Sequence, residues 1–138
     1  MSRRIENFMK REVHQLPPTA TVYEAARLMA ERNCAAVVVS TSGRLEGIFT
    51  SGDLVKRVVG GKRNPAKTRL EDVMTRRPDT VMPTSFATDA LRMMQDGRYR
   101  HLPVMHGERI VGIVSRRDFF GQEQSIVEEE DHLSETMR

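Results

Sequence analysis

The chain holds one cysteine, no tryptophan and only two tyrosines among its 138 residues. A single thiol, Cys34, excludes an internal disulfide and an all-cysteine metal cage, and it fits a reducing compartment. No stretch approaches the ~20 apolar residues of a membrane-spanning helix. The first residues, MSRRIENFMKRE, carry bases but lack the apolar core of a secretory signal. The expectation is a cytoplasmic protein with no membrane partner. So few aromatic rings leave no stacking platform for a nucleic acid, which is therefore not an expected partner. The four histidines, His14, His101, His106 and His132, fall at no metal-ligand spacing, and no metal site is expected.

What is present is an ordinary globular composition, 38% apolar and 30% charged. A chain of this length buries roughly 70% of its unfolded surface and reads as one domain. The net charge of +3 conceals an asymmetry. Residues 121–138 carry six acids and one base, which leaves 21 bases and 13 acids in residues 1–120. A body of +8 with a tail of −5 points to anionic partners, against the alternative of plain solvated charge.

An internal repeat sets the architecture. A shift of 65 residues aligns 5–55 with 70–120 without a gap, and 13 of the 51 positions are identical. They include Glu6/Glu71, Met9/Met74, Pro18/Pro83, Gly47/Gly112 and Asp53/Asp118. Each copy opens on a short extended segment, 13–17 or 78–82. The spacing then predicts helices over 22–32 and 87–97, from Val22, Ala25, Ala26 and Met29 and from Ala87, Ala90, Leu91 and Met94. Thr21 and Glu24 have the form of a capping box, which Phe86 breaks in the second copy. Two strands follow, 36–39 with 45–50 and 102–105 with 109–115, joined by polar turns. A further helix starts near Gly52 and near Arg116. The unit is β-α-β-β-α. About 50–60 residues make a marginal core, so neither copy is expected to stand alone. The run AAVVV predicts a strand covered on both faces. Residues 60–69, rich in glycine and bases, predict an exposed loop.

The strand-to-helix junctions read Gly47-Ile-Phe-Thr50-Ser-Gly-Asp53 and Gly112-Ile-Val-Ser115-Arg-Arg-Asp118. With Glu71-Asp-Val-Met74, Arg100-His-Leu-Pro-Val104 and the element order, residues 5–120 closely resemble the cystathionine-β-synthase (CBS) domain family, twice over. The resemblance implies an α+β fold of tandem CBS repeats with pseudo-two-fold symmetry, small sheets flanked by helices. The repeats are expected at 1–62 and 70–124, with a linker at 63–69 and an acidic tail at 125–138 that is either a frayed helix or disordered. It also implies a free-standing regulatory module without an attached enzyme or channel, binding adenosine-containing ligands in clefts between the repeats and pairing into flat homodimers.

In the family pattern the Thr/Ser hydroxyl contacts phosphate or ribose, the Asp accepts from the ribose diol, and the base lies beside the strand that here begins Arg100-His101-Leu102-Pro103. Thr80 lies nearby. The corresponding residues of the first copy are Gln15, Ala36, Val37, Thr50 and Asp53. Independently, a helix start offers unpaired N–H groups to phosphate, and an Asp one turn on suits a vicinal diol. The competing reading is helix capping, which also explains a hydroxyl and an Asp three residues apart. The second copy is the better phosphate site, because Arg116 and Arg117 stand where the first has Ser51 and Gly52. His101 has the alternative role of filling the sheet face. Cys34 is expected to be a buried structural thiol. Met29, Met93 and Met94 are expected in the core, with a dimer contact as the alternative.

No general base, nucleophile or metal cluster converges near these motifs, so the chain is not expected to be an enzyme. The expected function is an AMP, ADP or ATP sensor, with S-adenosylmethionine and NADH as further adenosyl ligands. It would act by population shift on a separate protein. The alternative is a dimeric adaptor that needs no ligand.

Overall fold

The computed structural model describes residues 3–119. The acidic tail, the remainder of the second copy's last helix and His132 lie outside these residues. Two compact units divide the chain. The amino-terminal unit comprises Glu12–Pro78 with Gly107–Ile110, and, among the described residues, the carboxy-terminal unit comprises 3–11, Asp79–His106 and 111–119.

In the amino-terminal unit, β1 (Gln15–Leu16) leads to helix α1 (Val22–Arg32), strands β2 (Ala36–Thr41) and β3 (Arg44–Thr50), and the single turn α2 (Ser51–Asp53). A π-helical stretch, Leu54–Val59, continues from it, and α3 (Leu70–Val73) and β4 (Thr75–Arg76) close the unit. The sheet order is β1-β2-β3-β4, with β1 parallel to β2 and both other pairs antiparallel. The β2–β3 turn is tighter than the sequence predicts. Ser42 and Gly43 both take positive φ, at 51° and 81°, so two residues suffice for the hairpin.

The strand Ala36–Val39 is buried throughout, as its unbroken apolar run requires. Val37 and Val39 join Val22, Ala25, Met29, Phe49 and Val58 in the core, which Leu70, Val73 and Met74 complete. Cys34 is half-buried against this core. Thr21 caps α1 by accepting from the Glu24 amide at 3.1 Å, and Asn33 ends it in the left-handed region. The 60–69 segment is exposed for the most part, but its end is fastened. Thr68 is buried, and its carbonyl accepts the first amide of α1, Val22 N, at 2.9 Å.

The carboxy-terminal unit repeats this plan with helix α4 (Ala87–Gly97) and strands β5 (His101–His106) and β6 (Arg109–Ser115), followed by a 3-10 turn, Arg116–Asp118. Val81 runs parallel to Val104 on one side, and Lys10 pairs antiparallel with Ile113 on the other. A shift of 65 turns these bridges into Leu16 with Val39 and Thr75 with Ile48, the partners seen in the other unit. Phe86 gives α4 no side-chain cap. The first amide of α4, Ala87 N, donates instead to the Arg3 carbonyl at 2.7 Å, the equivalent of the Thr68 contact. The Arg4 guanidinium stacks over the Phe86 ring, 5.0 Å from its centroid. Met29 and Met94 are both core residues, and Met93 packs against the core from outside. Burial gives the first two the core role that is expected of them.

The compact units do not coincide with the sequence repeats. The 3-10 turn Ile5–Asn7, at the head of the first repeat, lies in the carboxy-terminal unit, and fully buried Ile5 belongs to its core. Its counterpart, α3, heads the second repeat and lies in the amino-terminal unit with fully buried Leu70. Both leading segments are held alike. Ile5 N and Glu6 N donate to the Ser85 and Pro83 carbonyls, and Leu70 N and Glu71 N to those of Ala20 and Pro18, all at 2.8–3.0 Å. Glycine makes room for the strand that follows. A Cβ on Gly47 would stand 2.7 Å from the Thr75 carbonyl oxygen, and one on Gly112 2.9 Å from that of Lys10.

Two sets of substitutions test this arrangement. Ile5→Ala and Leu70→Ala are each expected to cost about 2–5 kcal/mol, read by denaturant unfolding. Gly47→Ala and Gly112→Ala should each cost about 1–3 kcal/mol, because backbone must shift to admit the methyl group. Gly52→Ala, where the new Cβ meets only Thr50 Oγ1 at 3.5 Å, is the near-neutral control.

Candidate functional site

Antiparallel pairing of β5 and β6 sets the start of one strand beside the end of the other. The Arg116 amide, just past β6, donates to the Arg100 carbonyl, just before β5, at 2.8 Å. The turn that follows is organised by Asp118, whose Oδ2 accepts from Ser115 N at 2.7 Å and from Ser115 Oγ at 2.9 Å. The other oxygen, Oδ1, lies 3.8 Å from Lys10 Nζ. The Asp118 side chain is 12% exposed and that of Lys10 64%. Lys10 is held there by its backbone, which exchanges hydrogen bonds of 2.9 and 3.0 Å with Ile113.

His101 is the first residue of β5 and is half-buried. Burial pushes its imidazolium below the ordinary histidine value of 6.5, Asp118 opposes this, and Arg100, Lys10 and Arg117 reinforce it. Leu102 and Pro103 are buried, whereas Arg100, Arg116 and Arg117 are exposed. Thr80 is also exposed and precedes Val81, whose amide donates to the Pro103 carbonyl at 3.1 Å. The structure thus brings Arg100, His101, Ser115, Arg116, Arg117 and Asp118 together, with Thr80 along the opposite edge of β5.

The amino-terminal unit has the same backbone with different chemistry. Asp53 Oδ2 accepts from Thr50 N at 3.0 Å and from Thr50 Oγ1 at 3.2 Å, and Thr50 Oγ1 in turn accepts from Asp53 N at 3.3 Å. That is a complete capping box. The other oxygen of Asp53 is 3.5 Å from Arg57 Nε. Arg57 is itself committed, since its Nη1 donates to the Val73 and Met74 carbonyls at the end of α3. Ala36 and Val37 are buried, and Gln15 is exposed, accepting from Ser40 Oγ at 2.7 Å. Ala35, Ala36, Ser51, Gly52 and Thr75 stand where the carboxy-terminal unit has Arg100, His101, Arg116, Arg117 and Lys10.

The capping role of both hydroxyl–carboxylate pairs is therefore present in the backbone geometry. It leaves acceptor capacity on each Asp, because an ionised carboxylate has about four lone-pair sites. Sequence reasoning passed over Lys10 and Arg57. Arg57 was legible at i+4 from Asp53. The substitution of Lys10 for Thr75 under the 65-residue shift was visible, but only its pairing with Ile113 brings it to Asp118. Among the described residues no three His, Cys, Asp or Glu side chains converge as metal ligands, and no helix is long and apolar enough to cross a membrane.

The position of His101 makes stability depend on pH. Its folded-state value is depressed, so the unfolded chain takes up the proton first as pH falls. Its contribution is complete above about pH 6.5 and declines below it. Thermal melts between about pH 7.5 and 5.5 should show that decline in the wild type and a flatter profile in His101→Gln.

The family model of the CBS domain matches residues 5–60 and again 70–123. The CBS domain-containing protein CBSCBSPB1 of Arabidopsis thaliana is 35% identical over 100 residues, covering 72% of this chain and 18% of that one. The chain thus spans less than a fifth of the length of this relative. An uncharacterized 17.7 kDa protein of Acidianus ambivalens is 32% identical over 120 residues, 86% of this chain and 71% of that one. Among solved structures, the CBS-domain containing protein ATU1752 from Agrobacterium tumefaciens superposes with a TM-score of 0.77 at 32% identity, covering 84% of this chain and 95% of that one. The CBS domain pair of protein MJ0100, in complex with 5′-methylthioadenosine and S-adenosyl-L-methionine, shares the fold. Its TM-score is 0.77 at 22% identity, with 86% and 93% of the two chains covered. Both repeats are matched, and the chain belongs to the CBS domain family, carrying its domain as a tandem pair, the form of a regulatory ligand-binding module.

Proposed function

We propose that this CBS pair binds an adenosine-containing ligand, an adenine nucleotide in particular, and reports energy or metabolite state to a separate protein by shifting between conformations. The observation that carries the reading is the Ser115–Asp118 turn, where one shielded carboxylate with spare acceptor capacity sits among Arg100, Arg116, Arg117 and Lys10. A carboxylate suits a ribose diol, and guanidinium groups suit phosphate. In this reading Asp118 takes the ribose, Ser115 and the arginines take phosphate, and the base lies along His101, Leu102 and Pro103 near Thr80. Gln15, Ala36, Val37, Thr50 and Asp53 form the weaker counterpart, with Arg57 competing for Asp53. That MJ0100 is a complex with two adenosyl compounds supports the ligand class.

The wider reading is a cytoplasmic homodimer that catalyses nothing itself. Its functional repeats lie at 1–62 and 70–124, joined by 63–69 and followed by an acidic tail. A ligand-independent adaptor is favoured by one observation, that Thr50–Asp53 and Ser115–Asp118 both form capping boxes, so capping alone accounts for their residue types and spacing.

Thermal shift against AMP, ADP, ATP, S-adenosylmethionine and NADH separates the two readings. Selective stabilisation supports the sensor, and a flat response across the panel supports the adaptor. By calorimetry, Asp118→Ala should weaken nucleotide binding about 10-fold or more, the worth of a charged hydrogen bond. Asp53→Ala should change it about threefold or less, on the same scale. Equal losses from the two variants would sink the asymmetry.

A further inference from the structure

The charges around the Ser115–Asp118 turn do not balance. His101 feels one acid, Asp118, and three bases, Arg100, Lys10 and Arg117. Arg116 is a further exposed base at the same turn. Three of these four cations belong to the segments that carry the sequence motif. Lys10 arrives from the head of the chain, and its backbone bonds to Ile113 fix where its side chain begins.

We propose that Lys10 is the specificity-determining residue of this turn, selecting a phosphate-bearing adenosine ligand over a neutral or cationic adenosyl ligand; the proposal rests on the adenosine reading above. The geometry gives it two settings. At 3.8 Å from Asp118 Oδ1 the ammonium is near enough to balance the carboxylate but beyond hydrogen-bond length. An arriving phosphate offers the ammonium a stronger partner and leaves Oδ1 to the ribose diol. A neutral ligand provides no such exchange, and a sulfonium meets the repulsion of the surrounding bases. The amino-terminal unit lacks the device. Its equivalent residue is Thr75, and its nearby cation, Arg57, is hydrogen-bonded to the Val73 and Met74 carbonyls.

The test is calorimetry of wild type, Lys10→Gln and Lys10→Arg with AMP, adenosine, S-adenosylmethionine and pyrophosphate, at low and moderate salt. AMP should bind wild type more tightly than adenosine or S-adenosylmethionine does. Lys10→Gln should weaken AMP about 5–10-fold, with a shallower salt dependence, and change adenosine by less than about twofold; Lys10→Arg should recover most of the loss. The proposal is overturned if Lys10→Gln leaves AMP unchanged or weakens adenosine equally. If no adenosine compound binds the wild type, the adenosine reading fails on its own, and pyrophosphate then decides the role of Lys10. Binding lost in Lys10→Gln supports anion selection, and binding that is absent or indifferent to the substitution overturns it.

Discussion

Each compact unit depends on a short segment that stands, in sequence, at the head of the other repeat. Ile5 and Leu70 are fully buried, and the residues around them spend their amides on carbonyls of the unit they join. A two-stranded hairpin by itself is marginal in water, and this extra layer gives each hairpin a further edge partner and each core a further apolar anchor. The contacts obey the same 65-residue shift as the sequence. Arg3 serves Ala87 as Thr68 serves Val22, and Lys10 meets Ile113 as Thr75 meets Ile48.

That connectivity also shapes the chemistry. The strand pairing that completes the carboxy-terminal sheet delivers Lys10 to Asp118, whereas its counterpart delivers Thr75, which carries no charge. One backbone plan therefore yields two unlike turns. In one, the carboxylate is shared with an arginine that also holds the end of α3. In the other, the carboxylate sits within an excess of bases beside a half-buried imidazole. Duplication preserved the capping geometry, and divergence of the rim made the two turns chemically distinct.

Much of this was legible in the residues. Helices α1 and α4 match the spans read from their apolar spacing, because a 3.6-residue stripe facing a core is a strong local signal. The Thr50–Asp53 and Ser115–Asp118 pairs were legible as caps because capping involves residues three apart. The short elements at Ile5–Asn7, Leu70–Val73 and Thr75–Arg76 were not legible. Two to four residues show no period, and what holds them is backbone pairing with distant residues. The capping box expected at Thr21–Glu24 is seen through its Thr21 half, and the missing cap at Phe86 is replaced by a main-chain carbonyl that no side-chain pattern reveals.

By itself the sequence determined the duplication, the element order within each copy, the apolar faces of the helices and the positions of the two Gly-to-Asp junctions. These depend on local spacing and on self-comparison, which need no coordinates. Only the tertiary structure decided which unit each leading segment completes, and so which side chain stands beside each aspartate. That choice is made by non-local backbone hydrogen bonds and by the space left at Gly47 and Gly112. Neither leaves a periodic trace along the chain.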